Sequence, residues 1–506
     1  QLFHPPFAEF AIMHLQILSG SDRFANLVQW FSSIGSIIGV SLIAKELNTD
    51  VRGQVFAAVF CATIPMGILQ ASSTQNDYAV GFWLVCLAYF VLLSVKQKNQ
   101  PSLYFFIGAS LGLAILTKSS GYLYAFPLMV WFSLVQLWRW RWKLPAWKTI
   151  SFTTSIALVL NINHYWRNFD LFNSFIGAPD NFSAAYKIEV YSVPTFLSNV
   201  VRNLALHLDI VRNLGLQKII TPITGIANKL LLMFHDLIGV DLYDPRITAN
   251  SYRGVSGLSF DENTAGNPLH FFLILILISY CLLRKKLRER KFLLIYLLSI
   301  ISGFLLLCLL LKIQIYQPRH HLLAFLLFSA FVGVVLAEIP LKNLANGVAI
   351  LLIVTSLPWV FQNKFRPIAA EANIFNMSRI EQYFINRPQL QQPYTKAVDR
   401  ILSSQCTNVG LSLGTGERVG NEYWEYPLWV LFQQSKKPIR IENIPPNNIS
   451  AVKAEKQPYS NFIPCAILAV RTSKDQPIEQ LIVNNNTYVK TWSESPVILL
   501  TPEENK

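Results

Sequence analysis

Apolar residues dominate ten stretches of this chain, each close to the roughly 17–20 residues that a helix needs to cross a bilayer. They are 25–44, 54–72, 77–95, 102–117, 120–138, 149–165, 268–284, 292–312, 320–338 and 344–361. The fourth is the shortest and is expected to tilt or to reach only part way. The pattern predicts an all-α polytopic membrane bundle of about ten transmembrane helices. Every second joining loop is short and basic: 45–53 (Lys45, Arg52), 96–101 (Lys96, Lys98), 139–148 (Arg139, Arg141, Lys143, Lys148), 284–291 (Arg284 to Lys291) and 339–343 (Lys342). Basic loops stay on the cytoplasmic side. The opposite side then receives residues 1–24, the segment at Asp77, the turn at Lys118, the long loop 166–267, residues 313–319 and everything after about 362.

Within 7–19, Phe7, Phe10, Ala11, Leu15 and Leu18 recur at helical spacing while Glu9, His14 and Gln16 sit elsewhere on the wheel. That spacing predicts an amphipathic helix, lying on the outer membrane surface or packed against the bundle. The tail changes character. Alternation in 408–413, a turn around Gly414–Gly416 and Pro and Asn near 445–449 predict a small extracytoplasmic α/β domain over 390–506. The organisation expected is a membrane domain over 1–361, a linker at 362–389 and this tail.

Composition sharpens the class: 52% of residues are hydrophobic and only 14% are charged, where soluble domains carry about 25%. The net charge of +14 raises the possibility of nucleic acid, but residues 1–389 hold +13 of it and the tail +1. The excess lies in short loops between spans, so nucleic acid is not expected as a partner. Cys61, Cys86, Cys281 and Cys308 fall in apolar runs and read as small buried hydrophobes. Cys406 and Cys465 permit one bridge if the tail faces an oxidising compartment.

The span cores contain no Asp, Glu, Lys or Arg, whereas ion-coupled transporters place ionisable groups near the midplane. Charges gather instead at the outer span ends: Asp77, Lys118, Arg167, Asp261, Glu262 and Arg319. A carboxylate beside a lysine and two arginines suits an acid or base working next to a bound phosphate. Lys118 and Arg319 also suit simple anchoring by snorkelling, which an acidic residue such as Asp77 does poorly. His164, His320 and His321 fit an interface, and none has metal-site spacing. The run Gly410–Gly416 lacks the Lys-Ser/Thr of a P-loop and reads as a strand and turn.

Several segments in order resemble one family. They are His4-Pro5-Pro6 before the amphipathic stretch, Ser72 to Asp77 opening a span, Gly112 to Gly121 around Lys118, and Tyr165-Trp166-Arg167-Asn168 with Gly177 and Pro179. Asp261 to Pro268 and Lys312 to Arg319, the latter including Gln314, complete the set. The order is similar to that in GT-C class glycosyltransferases that use dolichyl- or polyprenyl-phosphate sugars. Within that class it resembles most the bacterial branch related to protein O-mannosyltransferases and the lipid A aminoarabinose transferase (glycosyltransferase family 39-like). The resemblance covers roughly residues 1–340.

It implies a transmembrane bundle with an extracytoplasmic cavity in the cytoplasmic membrane. The implied reaction moves one sugar, with inversion, from a polyprenyl-phosphate carrier to a glycan, lipid or protein acceptor. Because the catalytic carboxylate of such proteins follows their first helix, that helix and the principal carboxylate are expected upstream of Gln1. The resemblance places Asp77 at the cavity as a catalytic or orienting carboxylate or a metal ligand. Lys118, Arg319 and Arg167 would lie on the donor phosphate, and His4, Glu9, Asn76, Gln314, Asp261 and Glu262 along the cavity or acceptor side. No cofactor is implied beyond the donor lipid, and neither the sugar nor a divalent metal is legible. Two other readings stay open: an O-antigen-ligase-like transferase with a polyprenyl diphosphate donor, and a non-enzymatic membrane scaffold or lipid-handling protein.

Overall fold

The computed structural model describes residues 3–97, 100–176, 185–208, 217–249, 252, 254–255, 258–413, 424–444, 451–454, 456–457, 459–471 and 478–503. Gly177, Pro179, the turn at Gly414–Gly416 and the cluster at 445–449 lie outside the described residues. The chain divides into two compact units at Ala370/Glu371.

The first unit is helical, with α1 (Phe7–Ser19), α2 (Leu27–Glu46), α3 (Val51–Ala62), α4 (Pro65–Ala71), α5 (Asp77–Lys96), α6 (Pro101–Thr117) and α7 (Ser120–Arg139). It continues with α8 (Leu144–Phe172), α9 (Val193–Ala205), α10 (Gln217–Ile238), α11 (Pro268–Leu283), α12 (Lys291–Leu310), α13 (Gln317–Ala337) and α14 (Lys342–Phe361). Six of these, α2, α5, α7, α12, α13 and α14, are long and apolar enough to cross a membrane. The other four of the ten expected spans do not reach that length and apolarity as single helices, the fourth being short as expected. The second span is broken into α3 and α4, bent by 68°. Thr63 turns its hydroxyl back to Val59 O at 2.7 Å, and Pro65 opens α4, where a missing N–H is tolerated but a continuous helix is not. The fourth and seventh spans are helices of only 17 and 16 residues. The sixth lies inside a 29-residue helix that ends where Asn173 adopts a left-handed conformation, φ 51°.

Helix α13 forms the axis of the bundle, buried along nearly its whole length against α3, α5 and α2. Between α6 and α8 the backbones meet at Gly108 and Gly112: a Cβ on Gly108 would stand 2.5 Å from Thr153 O, and one on Gly112 3.0 Å from Ala157 Cα. This is the close approach that small residues four apart allow in membranes. It lets Asn161 donate to Gly112 O at 2.9 Å. On α1 only Ala8 is buried, while Phe10, Ile17 and Leu18 expose half or more of their surface, as a helix lying on a membrane surface would. In the long loop, Arg202 of α9 is wholly buried and ties down residues 242–248 through Leu242 O (2.8 Å) and Thr248 Oγ1.

The second unit contains a six-stranded sheet in the order β2-β1-β3-β6-β5-β4. Its strands are β1 (Asn408–Ser412), β2 (Arg440–Asn443), β3 (Ala466–Val470), β4 (Gln480–Val483), β5 (Asn486–Glu494) and β6 (Val497–Pro502). β1 pairs in parallel with β2 and β3, and the remaining pairs are antiparallel. Expected alternation at 408–413 is not what forms. Four successive residues from Val409 are buried, because a strand with parallel neighbours on both edges is covered on both faces. Cys406 and Cys465 are joined by a disulfide, Cα–Cα 5.6 Å. Lys364 N bonds Phe260 O at 3.1 Å in the first unit, while Ser378 and Glu381 cap a short helix, Arg379–Phe384, whose Phe384 enters the core of the second.

Candidate active site

Asp77 opens α5, where its negative charge meets the positive end of the helix dipole. It is 1% exposed, yet both of its oxygens serve cations. Lys118, in the turn between α6 and α7, places Nζ 2.5 Å from Oδ1. Arg319, in the first turn of α13, directs Nε and Nη2 to Oδ2 at 3.2 and 2.9 Å. Both cationic side chains retain some exposure, 15% and 18%, so the cluster is open to solvent at these two residues. Burial pushes the Lys118 ammonium below its ordinary value; Asp77 opposes this and Arg319 reinforces it.

The guanidinium is held by two neutral residues that the sequence did not single out. Gln75 Oε1 accepts from Nη2 at 2.6 Å, and Asn263 Oδ1 accepts from Nη1 at 3.1 Å. Beside Asp77, Asn76 donates to Glu9 Oε1 at 3.1 Å. His4 lies within electrostatic reach of Lys118 and of His164. Arg167 belongs to that last group: its Nη2 meets His164 Nδ1 at 3.0 Å, and Asn168 Nδ2 meets His164 Nε2 at 3.3 Å.

Three expected cavity residues have other engagements. Asp261 takes Lys364 at 3.0 Å on Oδ2 and the backbone N–H and Nδ2 of Asn263, both at 2.9 Å, on Oδ1. Glu262 is paired with Arg366, which also reaches Ser72 Oγ at 3.2 Å. Lys364 and Arg366 lie more than a hundred positions away in sequence, so nothing in the Asp261-Glu262 pair itself announced them. Gln314 accepts Gln317 N–H on its backbone oxygen, at the turn into α13. Among the described residues no group of three or more His, Cys, Asp or Glu is arranged to hold a metal ion.

An apolar groove of about 820 Å³ runs between α7 and α12, with Phe126, Trp131, Leu134, Phe196, Leu305 and Leu309 in its wall. Phe126 is roughly 10 Å along α7 from the turn that carries Lys118, at 1.5 Å per residue.

Residues 3–166, about a third of the chain, match the family described as dolichyl-phosphate-mannose-protein mannosyltransferase. Among solved structures, ArnT from Cupriavidus metallidurans in the apo state aligns with a TM-score of 0.51 at 12% identity, covering 98% of this chain and 87% of that one. The same protein bound to undecaprenyl phosphate gives 0.46 at 13%, with coverages of 100% and 88%. The oligosaccharyltransferase AglB from Archaeoglobus fulgidus, in complex with an inhibitory peptide and a dolichol-phosphate, gives 0.41 at 13%, covering 92% and 61%. No curated protein matches the sequence. At these identities the likeness to apo ArnT concerns the fold. With the family match over residues 3–166 it makes this a multi-pass membrane protein with the fold of the GT-C glycosyltransferases.

Proposed function

We propose that this chain is an integral-membrane glycosyltransferase that moves one sugar from a polyprenyl-phosphate carrier to an acceptor on the extracytoplasmic face of the cytoplasmic membrane, with inversion. One observation carries the reading: Lys118 and Arg319 converge on a single buried carboxylate and still have donors to spare. The bonds described use four of the five N–H groups of Arg319 and one of the three on Lys118. A phosphate oxygen arriving from the open side finds two cations already oriented.

In this mechanism the acceptor oxygen or nitrogen bonds to the anomeric carbon as the bond from that carbon to the phosphate oxygen breaks; the electron pair leaves with the phosphate, and the acceptor's proton passes to the departing phosphate oxygen or to solvent. A phosphate is a fair leaving group, so catalysis rests on positioning and on stabilising its developing charge. Lys118 and Arg319 supply that charge, and Arg167 with His164 extends the basic wall. Asp77, with both oxygens serving cations, organises them. Glu9, Asn76 and His4 line the acceptor side, and the groove between α7 and α12 takes the polyprenyl chain. The basic loops hold the opposite ends of the spans in the cytoplasm, which puts the site and the second unit outside.

The test is Arg319→Lys in membranes containing the whole protein, with transfer from a polyprenyl-phosphate sugar as the readout. Lysine keeps the charge and loses the planar fork. The expected loss is about 3 kcal/mol in transition-state stabilisation, on the order of a hundredfold in rate, comparable to deleting one preorganised donor. Transfer close to the wild-type level removes Arg319 from the phosphate site.

A further inference from the structure

The hydrogen bonds around Arg319 continue outward in a line whose polarity is fixed by chemistry. Asp261 is acceptor-only and Arg319 is donor-only. The amide of Asn263 lies between them, giving its Nδ2 to Asp261 Oδ1 at 2.9 Å and taking Arg319 Nη1 on Oδ1 at 3.1 Å. An inverted amide would set oxygen against carboxylate and NH2 against guanidinium, so only one orientation is tolerated. The Asn263 backbone N–H also donates to Asp261 Oδ1 at 2.9 Å, and Lys364 closes the line on Oδ2 at 3.0 Å. Gln75 Nε2 reaches the same Asn263 oxygen at 3.4 Å while its Oε1 holds Nη2.

We infer that Asn263, oriented by Asp261, is a positioning residue that sets the rotation of the Arg319 guanidinium and so aims its one uncommitted N–H into the open side of the cluster. Asp77 alone would not do this. Both of Arg319's bonds to it end on the same oxygen, Oδ2, which leaves the guanidinium plane free to pivot about that atom. Gln75 Oε1 on Nη2 adds a second fixed point, and the contact to Asn263 on Nη1 is the third, made on the nitrogen that also carries the uncommitted N–H. Asn263 is neutral and touches Arg319 from the side opposite the carboxylate, so it orients the guanidinium without consuming its charge. The functional weight of this role rests on the phosphate-binding reading of Arg319.

The experiment uses the full chain in detergent micelles and reads phenylglyoxal modification at Arg319, resolved by mass spectrometry, beside the affinity for undecaprenyl phosphate. In Asn263→Ala, Arg319 should be modified faster by on the order of tenfold, the equivalent of one charge-assisted hydrogen bond, while the buried Arg202 stays at its wild-type rate. Asp261→Ala should act through the same amide, and the double variant should add nothing to Asn263→Ala. Should Asn263→Ala fold poorly, Asp261→Ala alone still decides the matter. An unchanged Arg319 rate in both single variants overturns the inference, as does full additivity in the double variant or an equal acceleration at Arg202. Undecaprenyl phosphate should protect Arg319 in the wild type, and its binding should weaken in Asn263→Ala. Faster modification with no protection and unaltered binding keeps Asn263 as the residue that positions Arg319 and removes the phosphate-binding reading instead.

Discussion

Nε2 of His207 lies 2.9 Å from Nδ1 of His321, and the groups at either end leave the protons one direction. The backbone N–H of Asn267 donates to His207 Nδ1 at 3.2 Å, so the proton of that ring sits on Nε2 and points at His321. Nε2 of His321 then donates to Asn203 Oδ1 at 2.9 Å, while the Asn203 NH2 group is spent on Asn199 O at 2.8 Å. Both imidazoles are buried and neutral in this arrangement. A second proton on either ring would face another donor. The chain runs from the loop before α11 through α13 to α9, binding the long outer loop to the bundle axis two residues beyond Arg319.

Acid should therefore loosen this structure. Burial pushes the His207 imidazole down to about 3, against about 6.5 in the unfolded chain. Between those values the unfolded state binds a proton that the folded state refuses, so stability falls as pH drops from about 6.5. The melting temperature of the solubilised protein should decline between pH 7 and 5. His207→Phe should lower it at pH 7.5, since each of the two polar groups left unpaired costs about 1–3 kcal/mol, and should flatten the pH dependence. A wild-type melting temperature that does not move over this range argues against a neutral pair.

Lys118 makes the opposite demand on pH. Its ammonium is pushed below the ordinary lysine range by burial, so it sheds its proton sooner than an exposed lysine as the solution becomes alkaline. Affinity for undecaprenyl phosphate should weaken from pH 7 toward pH 9.5. Lys118→Arg, which stays protonated, should bind with a flatter profile whatever its absolute affinity. Identical slopes in the two proteins would take Lys118 out of the anion site.

That Asp77, Lys118 and Arg319 meet could be anticipated although they are separated by 41 and 242 positions. Spans confine their ends to two planes, so charges at the outer ends of different helices have few places to be. The break at Thr63–Pro65 was hidden because a hydropathy average runs straight through a proline set among apolar residues. Gln75 and Asn263 lay inside segments that carried the resemblance but gave no sign of a role, since a neutral amide in a loop has no periodicity and its role depends on which ion lies opposite. Asp261 and Glu262 were legible as charges at a span end but not as partners of Lys364 and Arg366. In the tail the α/β class was read from alternation at 408–413 and from turn residues, whereas the consecutive burial of β1 follows from its parallel neighbours on both edges.

The second unit should stand by itself. Its sheet encloses its own apolar cores, and the Cys406–Cys465 bridge spans 59 positions. A loop of that size stabilises by about 4 kcal/mol in the chain-entropy account. Residues 371–506, expressed alone and oxidised, should unfold in one cooperative step, and reduction or Cys406→Ala should lower the midpoint clearly. Gradual melting of the oxidised fragment would assign these residues to a larger folding unit.

At Glu262 a structural role can be separated from a functional one. Its side chain is 8% exposed and paired with Arg366, its backbone carbonyl takes Gln70 Nε2 at 2.6 Å, and Arg366 goes on to Ser72 Oγ. Together they fasten residues 362–370 onto the α4 end of the bundle. Removing one member of a fully buried pair strands the other and costs about 3–5 kcal/mol; with Arg366 a quarter exposed the cost here falls below that range, and replacing both costs less still. Glu262→Ala and Arg366→Ala should each lower the melting temperature sharply, and the double variant should recover part of that loss. Undecaprenyl phosphate binding by whichever variant remains folded should stay near the wild-type value, because neither side chain is bonded to Arg319 or Lys118. An acceptor-binding Glu262 would behave in the reverse way: Glu262→Ala would melt like the wild type, with sugar transfer reduced and Arg366→Ala without effect on it.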